Sequence, residues 1–303
     1  MATHSGFVAI AGRPNVGKST LVNALTRAKV AIVSDKPQTT RRAIQGIANV
    51  GRGEDARQAV FVDLPGVQSP RDPLTERMQS RVDRALGESD VALFVLNAAE
   101  RSGAGDRFLA QALARAALPV VIAVNKVDAI RVPEVAAALS GAQELADGAG
   151  IDLREVFPVS ALRGSGIDPL REALFGLLPD GPLYYPQDQV TDQPRDVLLA
   201  ELIREHALRR ARQEVPHSIE VRVEDLEPRD ETTLVQAAIW VETESHKAIL
   251  IGRRGEMIKA IGTAARRELE RELGGRVHLD LTVKVRRAWR RDEALLDRIG
   301  IEP

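Results

Sequence analysis

The chain contains 303 residues, 44% of them hydrophobic and 28% charged, with a formal net charge of −1, as in ordinary globular proteins large enough for two domains. It has no cysteine, which excludes disulfides and zinc sites built from Cys. No apolar run approaches the roughly 20 residues of a membrane span, and the N-terminus lacks a signal-peptide pattern, so we expect a cytoplasmic protein with no transmembrane segment.

The first predicted strand, residues 7–11, leads into a glycine-rich loop that is followed by apolar residues at helical spacing. This order of strand, G-x-x-x-x-G-K-S and helix is the context of a Walker A loop, whose backbone N–H groups and helix N-terminus bind phosphate. We predict that the chain binds a nucleoside triphosphate, with Lys18 on the β- and γ-phosphates and Ser19 on Mg²⁺. The predicted phosphate-binding residues are Gly12, Arg13, Pro14, Asn15, Val16, Gly17, Lys18, Ser19 and Thr20.

The next segment, residues 35–42, reads D-K-P-Q-T-T-R-R and has neither helix nor strand periodicity, so we expect a loop. In a P-loop enzyme, a threonine in such a loop binds Mg²⁺ and senses the γ-phosphate. Spacing alone leaves Thr39 and Thr40 open. We prefer Thr40, because it directly precedes Arg41 as in related switch loops.

Two predicted strands, residues 43–50 and 58–62, end at the sequence D-L-P-G. Asp63, at the carboxyl end of an apolar strand, is expected to hold Mg²⁺ through water, and Gly66 to offer its N–H to the γ-phosphate. We predict that Lys18, Thr40 and Gly66 take part in catalysis. The predicted nucleotide contacts here are Asp63, Leu64, Pro65 and Gly66.

Unbroken apolar runs at residues 91–96 and 119–124 predict strands that are buried on both faces of a parallel sheet. The second run leads into Asn125, Lys126 and Asp128 of an N-K-x-D motif. The carboxylate of Asp128 can accept from N1–H and the exocyclic amine of guanine, a donor pair that adenine lacks. Asn125 is expected to tie this loop to the phosphate loop, and the Lys126 stem to cover the base. After another short strand, the guanine oxygen is expected to contact backbone N–H groups of Ser160, Ala161 and Leu162.

In this order, GRPNVGKS, a switch threonine, DLPG, NKVD and SAL resemble the Ras-like GTPase family over residues 7–178. The resemblance implies an α/β P-loop fold with a mostly parallel sheet. Ras-type enzymes carry a water-orienting Gln just after D-x-x-G, whereas this chain has Val67 and then Gln68. The chain is therefore similar to GTPases with a hydrophobic residue at that position. In that branch, an Asn matching Asn15 coordinates K⁺, and we hypothesise slow hydrolysis assisted by K⁺.

Three prolines and a glycine in residues 178–186 break every periodicity. We therefore predict a GTPase domain at 1–180, a linker at 181–195 and a second domain at 196–303. In the second domain a helix is expected over 196–212. Strands are expected over 218–224, 233–242 and 275–285.

The second domain contains I-G-R-R-G, with Gly252 and Gly255 in a G-x-x-G pattern before a long predicted helix. This α+β order is similar to a type II KH domain, whose G-x-x-G loop clamps the backbone of single-stranded RNA. The near-neutral net charge hides a basic stretch, since residues 247–291 contain 13 Lys and Arg against 5 Asp and Glu. We expect RNA rather than DNA as partner. The predicted RNA-binding residues are Ile251, Gly252, Arg253, Arg254, Gly255, Lys259, Arg286, Arg287 and Arg290. Two roles stay open for Trp289, contact with RNA and anchoring of the last helix.

The two halves together resemble the Era family of bacterial GTPases, including KPQTTRR, YPQDQVTDQP and VKVRRAWRRDE. This resemblance implies binding near the 3′ end of small-subunit ribosomal RNA in the pre-ribosomal small subunit, with GTP or GDP and Mg²⁺ as ligands. Three alternatives remain. Asp128 disfavours an ATPase, and another K⁺-stimulated GTPase of RNA metabolism has no reason to carry G-x-x-G. A GTP-binding RNA scaffold with negligible hydrolysis stays open because of Val67, and peripheral membrane contact also stays open.

Overall fold

The computed structural model describes residues 3–34, 36, 39–66, 73–211, 215–229, 231–299 and 301. Its strands are β1 (His4–Ala11), β2 (Ile44–Val50), β3 (Arg57–Asp63), β4 (Val91–Asn97), β5 (Val120–Asn125), β6 (Leu153–Val159), β7 (Glu220–Arg229), β8 (Thr232–Val241) and β9 (Arg276–Val285). Its helices are α1 (Lys18–Thr26), α2 (Pro73–Gly87), α3 (Ala104–Ala116), α4 (Val132–Ala149), α5 (Ile167–Gly176), α6 (Arg195–Arg210), α7 (Val215–Ser218), α8 (Glu244–Ile251), α9 (Glu256–Leu273) and α10 (Glu293–Arg298).

The first sheet has the strand order β2-β3-β1-β4-β5-β6, and its pairs are parallel except for the antiparallel β2–β3 hairpin. Every residue of β4 and β5 is buried, because helices cover both faces of the sheet. Helices α1 and α5 pack on one face, while α2, α3 and α4 pack on the other. The predicted Ras-like fold with a mostly parallel sheet is thereby confirmed.

This topology brings the functional loops together. The phosphate loop follows β1, residues 64–66 follow β3, and the N-K-x-D and S-A-L segments follow β5 and β6. Because these strands are parallel, their carboxyl ends lie at one edge of the sheet, where open α/β sheets bind their ligands.

The second domain contains a smaller sheet in the order β7-β8-β9, with β7 antiparallel and β9 parallel to β8. Helices α6, α8 and α9 pack on one face of it, and their apolar residues form its core. Counting from α6 and omitting the single turn of α7, the element order is helix, strand, strand, helix, helix, strand, as predicted for a type II KH domain. Helix α6 ends at Arg210, two residues before the predicted end.

Helix α6 differs from the single apolar stripe that the sequence indicates. Every residue from 198 to 208 is buried, including Glu201, Arg204 and Glu205. The helix lies between the small sheet and the first domain, so its polar face is covered as well. Ion pairs to the first domain make this burial possible.

The segment between the domains is docked along β2 of the first sheet. The Ile47 N–H donates to Val190 O at 2.8 Å, and Thr191 Oγ1 donates to Gln45 O at 2.8 Å. The connection therefore adds an extended edge to the first domain before α6 begins at Arg195. Within the described ranges, no helix combines the length and the hydropathy that crossing a membrane requires.

Candidate nucleotide site and RNA-binding surface

The backbone of residues 12–17 wraps the N-terminus of α1. Gly17 has φ 100°, in the left-handed region that favours glycine. A Cβ on Gly12 would stand 2.7 Å from Val95 O, so the loop approaches β4 too closely for a side chain. Asn15 also has a positive φ, of 64°. This conformation turns successive N–H groups toward one centre, as phosphate binding requires.

Lys18 lies inside this loop, where its Nζ donates to Gly12 O at 2.9 Å and to Arg13 O at 3.0 Å. Burial lowers the pKa of Lys18 to about 8, although the nearby Asp63 carboxylate opposes the shift. The ammonium group is thus held beside the phosphate-binding backbone in a poorly solvated place. Bound phosphate oxygens would stabilise its charge.

Three side-chain oxygens converge in front of Lys18. Ser19 Oγ donates to Asp63 Oδ2 at 2.6 Å, and Thr40 Oγ1 lies 2.9 Å from Ser19 Oγ and 3.3 Å from Asp63 Oδ2. Asp63 Oδ1 is buried with no hydrogen-bond partner in the part of the chain that the structure describes. Burial raises the pKa of Asp63, against the opposing effects of Lys18, Ser19 and Thr40. Hard oxygen donors with one orphaned carboxylate oxygen fit Mg²⁺.

The two threonines of the switch loop have different surroundings. Thr39 Oγ1 donates to Lys36 O at 2.6 Å, away from Ser19 and Asp63. Thr40 is the one whose hydroxyl reaches them. Asp35, Pro37 and Gln38 of this loop lie outside the described residues.

Residues 64–66 pack directly on the phosphate loop. Leu64 and Pro65 are buried, and a Cβ on Gly66 would stand 2.8 Å from Pro14 N. Residue 66 must therefore be glycine for the two loops to approach this closely. Val67 and Gln68, which the hydrolysis hypothesis concerns, lie outside the described residues. The cleft over the phosphate loop includes Asn15, Lys18, Thr40 and Gly66 in its lining.

The base side of the cleft is organised by Asn125, whose Nδ2 donates to Val16 O at 2.9 Å. Its Oδ1 accepts from Ala161 N at 3.0 Å, so one side chain joins three loops. The tie that the sequence predicts is present. Lys126 Nζ donates to Asn15 O at 2.5 Å. Asp128 is exposed in the short turn Val127–Ala129.

Arg13 has surroundings that the sequence did not indicate. Its Nε donates to Asp106 Oδ1 at 2.8 Å and its Nη2 to Glu100 Oε2 at 2.8 Å. Asp106 is buried and also accepts from Gly103 N at 2.8 Å, which caps α3. The Arg13 guanidinium thus braces the phosphate loop against α3, and only the Arg13 backbone faces Lys18. The lone Asp106 carried no motif that could have announced this role.

The G-x-x-G loop joins α8 to α9. Gly252 has φ 74° and ψ 177°, and a Cβ there would stand 2.8 Å from Met257 Cβ. Gly255 has φ 80°, and Arg254 itself has φ 50°. These values turn the chain sharply and leave the side chains of Arg253 and Arg254 exposed. The loop therefore presents backbone and two cations at one corner of the domain.

An open groove lies between α9 and β9, the edge strand of the small sheet, and its lining begins at Ile258, three residues after Gly255. Lys259 was predicted from sequence, whereas Gly262, Thr263 and Arg266 were not. The i, i+3, i+4, i+7 spacing of these residues from Lys259 places them on one face of α9 and could have revealed them. The groove lining is Ile258, Lys259, Gly262, Thr263, Arg266, Leu279, Asp280 and Leu281.

The basic cluster after β9 separates into two groups. Arg286 and Arg287 are exposed, and the Arg286 guanidinium lies 5.7 Å from the Trp240 ring centroid. Arg290 is partly buried, with Nη2 3.3 Å from Glu242 Oε2. Trp289 is fully buried and its Nε1 donates to Ser218 O at 3.0 Å. Of the two roles left open for Trp289, the structure selects the core anchor.

Immediately after Thr40, the switch loop contacts the KH domain. Arg41 Nη1 donates to Ile219 O at 2.6 Å and to Glu220 Oε2 at 2.7 Å. Arg42 Nη1 donates to Glu201 Oε1 at 2.7 Å. Sequence reasoning missed this interface, because basic loop residues normally indicate solvent or ligand contacts.

A P-loop, a switch threonine, D-x-x-G and N-K-x-D on a Ras-like sheet, joined to a KH domain, define a GTPase with a nucleic-acid-binding module. The comparisons agree with this class. Residues 7–126 match the family described as 50S ribosome-binding GTPase, and residues 214–290 match the KH domain family.

The chain is 44% identical to GTPase Era of Carboxydothermus hydrogenoformans, over 99% of this chain and 98% of that protein. It is also 44% identical to GTPase Era of Mycobacterium tuberculosis, over 98% of each. The structure matches Era in complex with MgGDPNP and nucleotides 1506–1542 of 16S ribosomal RNA, with a TM-score of 0.93, 36% identity and coverage of 99% and 100%. A variant of Aquifex aeolicus Era bound to GDP·AlF4⁻ matches with a TM-score of 0.92 at the same identity and coverage. The chain belongs to the Era family of GTPases.

Proposed function

We propose that this chain is a Mg²⁺-dependent, GTP-hydrolysing switch that binds the 3′ region of small-subunit ribosomal RNA and acts in assembly of that subunit in the cytoplasm. The observation that carries the proposal is the convergence of Ser19, Thr40 and Asp63, whose Oδ1 has no hydrogen-bond partner among the described residues, in a chain whose KH groove faces solvent. We assign residues 1–180 to the GTPase domain, 181–195 to the linker and 196–303 to the KH domain.

In this proposal, GTP lies over the phosphate loop with Mg²⁺ held by Ser19, Thr40 and Asp63. When bound, Mg²⁺ supplies neutralisation of the charge on the β- and γ-phosphate oxygens. Lys18 releases the carbonyls of Gly12 and Arg13 and donates to phosphate instead. The Gly66 N–H donates to the γ-phosphate. Loss of that phosphate on hydrolysis frees both Thr40 and Gly66.

Asp128 supplies guanine selectivity, since its exposed carboxylate accepts the donor pair that guanine carries and adenine does not. Backbone N–H groups of residues 160–162 donate hydrogen bonds to the guanine oxygen. Ser160 is buried and Ala161 N is already oriented by Asn125, which supports a preformed loop at this place.

A potassium ion beside Asn15 is part of the same proposal. Asn15 lines the phosphate cleft, has a left-handed backbone, and its carbonyl is held by Lys126. A cation there would lie beside the developing charge on the phosphates, where a second positive charge accelerates hydrolysis. We expect GTP hydrolysis to be faster in K⁺ than in Na⁺, and Asn15→Ala to remove the difference. Equal rates of wild type in the two salts would contradict the potassium site.

The RNA partner is proposed from two supports. The groove follows the G-x-x-G corner along the chain and has exposed cations and an edge strand, which suit single-stranded RNA. The matched Era structure contains nucleotides of 16S ribosomal RNA, whereas the broader GTPase family description names the large subunit. We give more weight to the Era structure, because it covers the whole chain including the KH domain.

Nucleotide state and RNA binding are proposed to be coupled through the switch loop. GTP orders Thr40 and Gly66, and the following residues, Arg41 and Arg42, transmit this order to the KH domain. By thermodynamic linkage, RNA must then change nucleotide affinity by the same factor as nucleotide changes RNA affinity.

Phosphate release from GTP and from ATP tests the enzymatic part, with Lys18→Ala as the inactive control. We expect Mg²⁺-dependent release from GTP by wild type, background release by Lys18→Ala, and none from ATP. Fluorescence anisotropy of labelled RNA with the 3′-terminal 16S sequence, against a scrambled RNA of equal length, tests the partner. Equal affinity for the two RNAs in both GDP and GTP-analogue states would refute the ribosomal assignment.

A further inference from the structure

The residues on both sides of Thr40 are hydrogen-bonded to the KH domain. On the N-terminal side, Arg204 Nη2 donates to the backbone carbonyl of Thr39. On the C-terminal side, the Arg41 guanidinium donates to Ile219 O at 2.6 Å and to Glu220 Oε2 at 2.7 Å. Thr40 therefore lies between two residues that are each bonded to the second domain.

The side chains that form these hydrogen bonds are buried. Arg41 and Arg204 are 2% and 1% exposed, and Glu220 is fully buried. Arg204 is itself oriented by Glu201, with Nε to Oε1 at 3.1 Å and Nη2 to Oε2 at 2.6 Å. The Arg41 guanidinium also lies 5.1 Å from the ring centroid of the buried Trp289. Breaking one partner of such a buried network leaves an uncompensated charge, so the network holds its geometry firmly.

This geometry has a direct consequence at the metal-binding oxygens. Thr40 Oγ1 lies 2.9 Å from Ser19 Oγ and 3.3 Å from Asp63 Oδ2 while its flanking residues are held by the KH domain. A shift of the Thr39 carbonyl or the Arg41 backbone would move Thr40 away from this cluster. The KH domain thus restrains the conformation of the residue that senses the γ-phosphate.

We infer that Arg204 and Glu220 are positioning residues for GTP hydrolysis, acting through Thr39 and Arg41 to hold Thr40 at the metal site. The inference rests on the proposed Mg²⁺–GTP site and deepens it. The second domain would then complete the GTPase site, in addition to binding RNA.

Arg42, two residues after Thr40, also pairs with Glu201, whereas two other sets of contacts between the domains lie away from the switch threonine. Lys29 is paired with Glu205 and Glu268 at the end of α1, and Arg77 donates to Asp297 and to Ile301 O from α2. These contacts join the domains at points separate from the switch threonine. The contact of Arg204 is one peptide unit from Thr40, so its loss should have a local effect.

Arg204→Gln tests the inference, with Arg209→Gln as the matched control. Both arginines lie on α6 and pair with a glutamate of the same helix, Arg204 with Glu201 and Arg209 with Glu205. Arg209 is half-exposed, and its buried partner Glu205 also pairs with Lys29, so Glu205 keeps a cationic partner when Arg209 is replaced. The readouts are affinity for a fluorescent GDP and a fluorescent non-hydrolysable GTP analogue, the Mg²⁺ concentration for half-maximal hydrolysis, and kcat.

We expect Arg204→Gln to lower kcat and the affinity for the GTP analogue by about tenfold, because a charge-assisted hydrogen bond is lost. The Mg²⁺ concentration for half-maximal hydrolysis should rise, while GDP affinity should stay at the wild-type value. Arg204→Lys should restore part of the lost kcat and GTP-analogue affinity. Arg209→Gln should match wild type. Glu220→Gln, which retains an oxygen acceptor for Arg41, should give a smaller change in the same direction. This second variant tests the inference if Arg204→Gln does not fold.

Two results would overturn the inference. One is an Arg204→Gln protein that folds and matches Arg209→Gln in every readout. The other is an equal loss of GDP and GTP-analogue affinity, which indicates general destabilisation of the nucleotide site. Absence of Mg²⁺-dependent hydrolysis in wild type would be a separate failure, that of the proposed function itself.

Discussion

The side-chain amide of Asn125 donates to the carbonyl of Val16 at 2.9 Å, joining the base-binding loop to the phosphate loop. The same amide accepts from Ala161 N at 3.0 Å. Neither bond involves a residue of the switch loops. One residue thus sets the distance between the two halves of the nucleotide site.

Asn125→Ala is therefore expected to weaken GDP and GTP-analogue binding equally. Removal of these two hydrogen bonds leaves their partners unpaired at a cost of about 1–3 kcal/mol each, so the affinity should fall by about thirtyfold or more. Isothermal titration calorimetry with each nucleotide measures this. Asn49→Ala, an amide of β2 bonded to the linker, is the control and should bind normally. A loss restricted to the GTP analogue would contradict the bridging role.

Asp128→Ala should reduce selectivity for guanine. The exposed carboxylate contributes only by pairing with the base, so its removal should leave the folding stability unchanged and lower GTP affinity by about 2–3 kcal/mol, with little effect on ATP. Competition of unlabelled GTP and ATP against a fluorescent nucleotide gives both affinities. A parallel fall in both would show that residue 128 does not read the base.

Arg253→Ala and Arg254→Ala should each weaken RNA binding for every sequence tested. These exposed cations are expected to contact phosphates, so each substitution should reduce the slope of log affinity against log salt by about 1. Arg154→Ala removes an exposed arginine of β6 that pairs with Asp152, and serves as the control with an unchanged slope. An unchanged slope for both loop variants would place the RNA elsewhere on the chain.

Trp289→Phe should lower stability while RNA affinity stays constant. The ring is fully buried and its Nε1 donates to Ser218 O, so the substitution leaves a buried acceptor and a small cavity, costing about 1–3 kcal/mol. Urea unfolding and RNA anisotropy on the same preparation separate the two effects. Weakened RNA binding with normal stability would show instead that Trp289 contacts RNA.

The interface between the domains should weaken in acid because of Glu220. Arg42, Arg204 and Arg41 lower the pKa of the Glu220 carboxyl to about 2, against a strong opposing effect of burial. Its folded-state pKa is thus below the ordinary value near 4.5, so its stabilising contribution is present above about pH 4.5 and is lost as the pH falls toward 2.

The pH dependence of thermal unfolding measures this contribution. Glu220→Gln cannot titrate at this position, so the difference in Tm between wild type and this variant should shrink between about pH 5 and pH 3. Glu172→Gln, at an exposed carboxylate of α5, controls for general charge effects. A difference that stays constant over this range would contradict the assigned pKa shift.

The nucleotide motifs could be predicted from sequence because each is a short contiguous segment. G-x-x-x-x-G-K-S, D-x-x-G and N-K-x-D carry their chemistry in residue type and spacing, and parallel strands bring their ends to one edge. The same holds for the G-x-x-G corner, where Gly252 requires a backbone conformation that other residues avoid.

The sequence by itself therefore determined the two folds, their order and the segments that are predicted to contact nucleotide. Only the tertiary structure decided that Arg13 braces the phosphate loop against Asp106, that Trp289 is core, and that Arg41 is buried against Glu220. These are pairs separated by many residues along the chain, and nothing local distinguishes a charge that will be buried against a partner from one that stays in solvent. Burial and pairing are properties of the packed interface, which exists only once both domains have folded and docked.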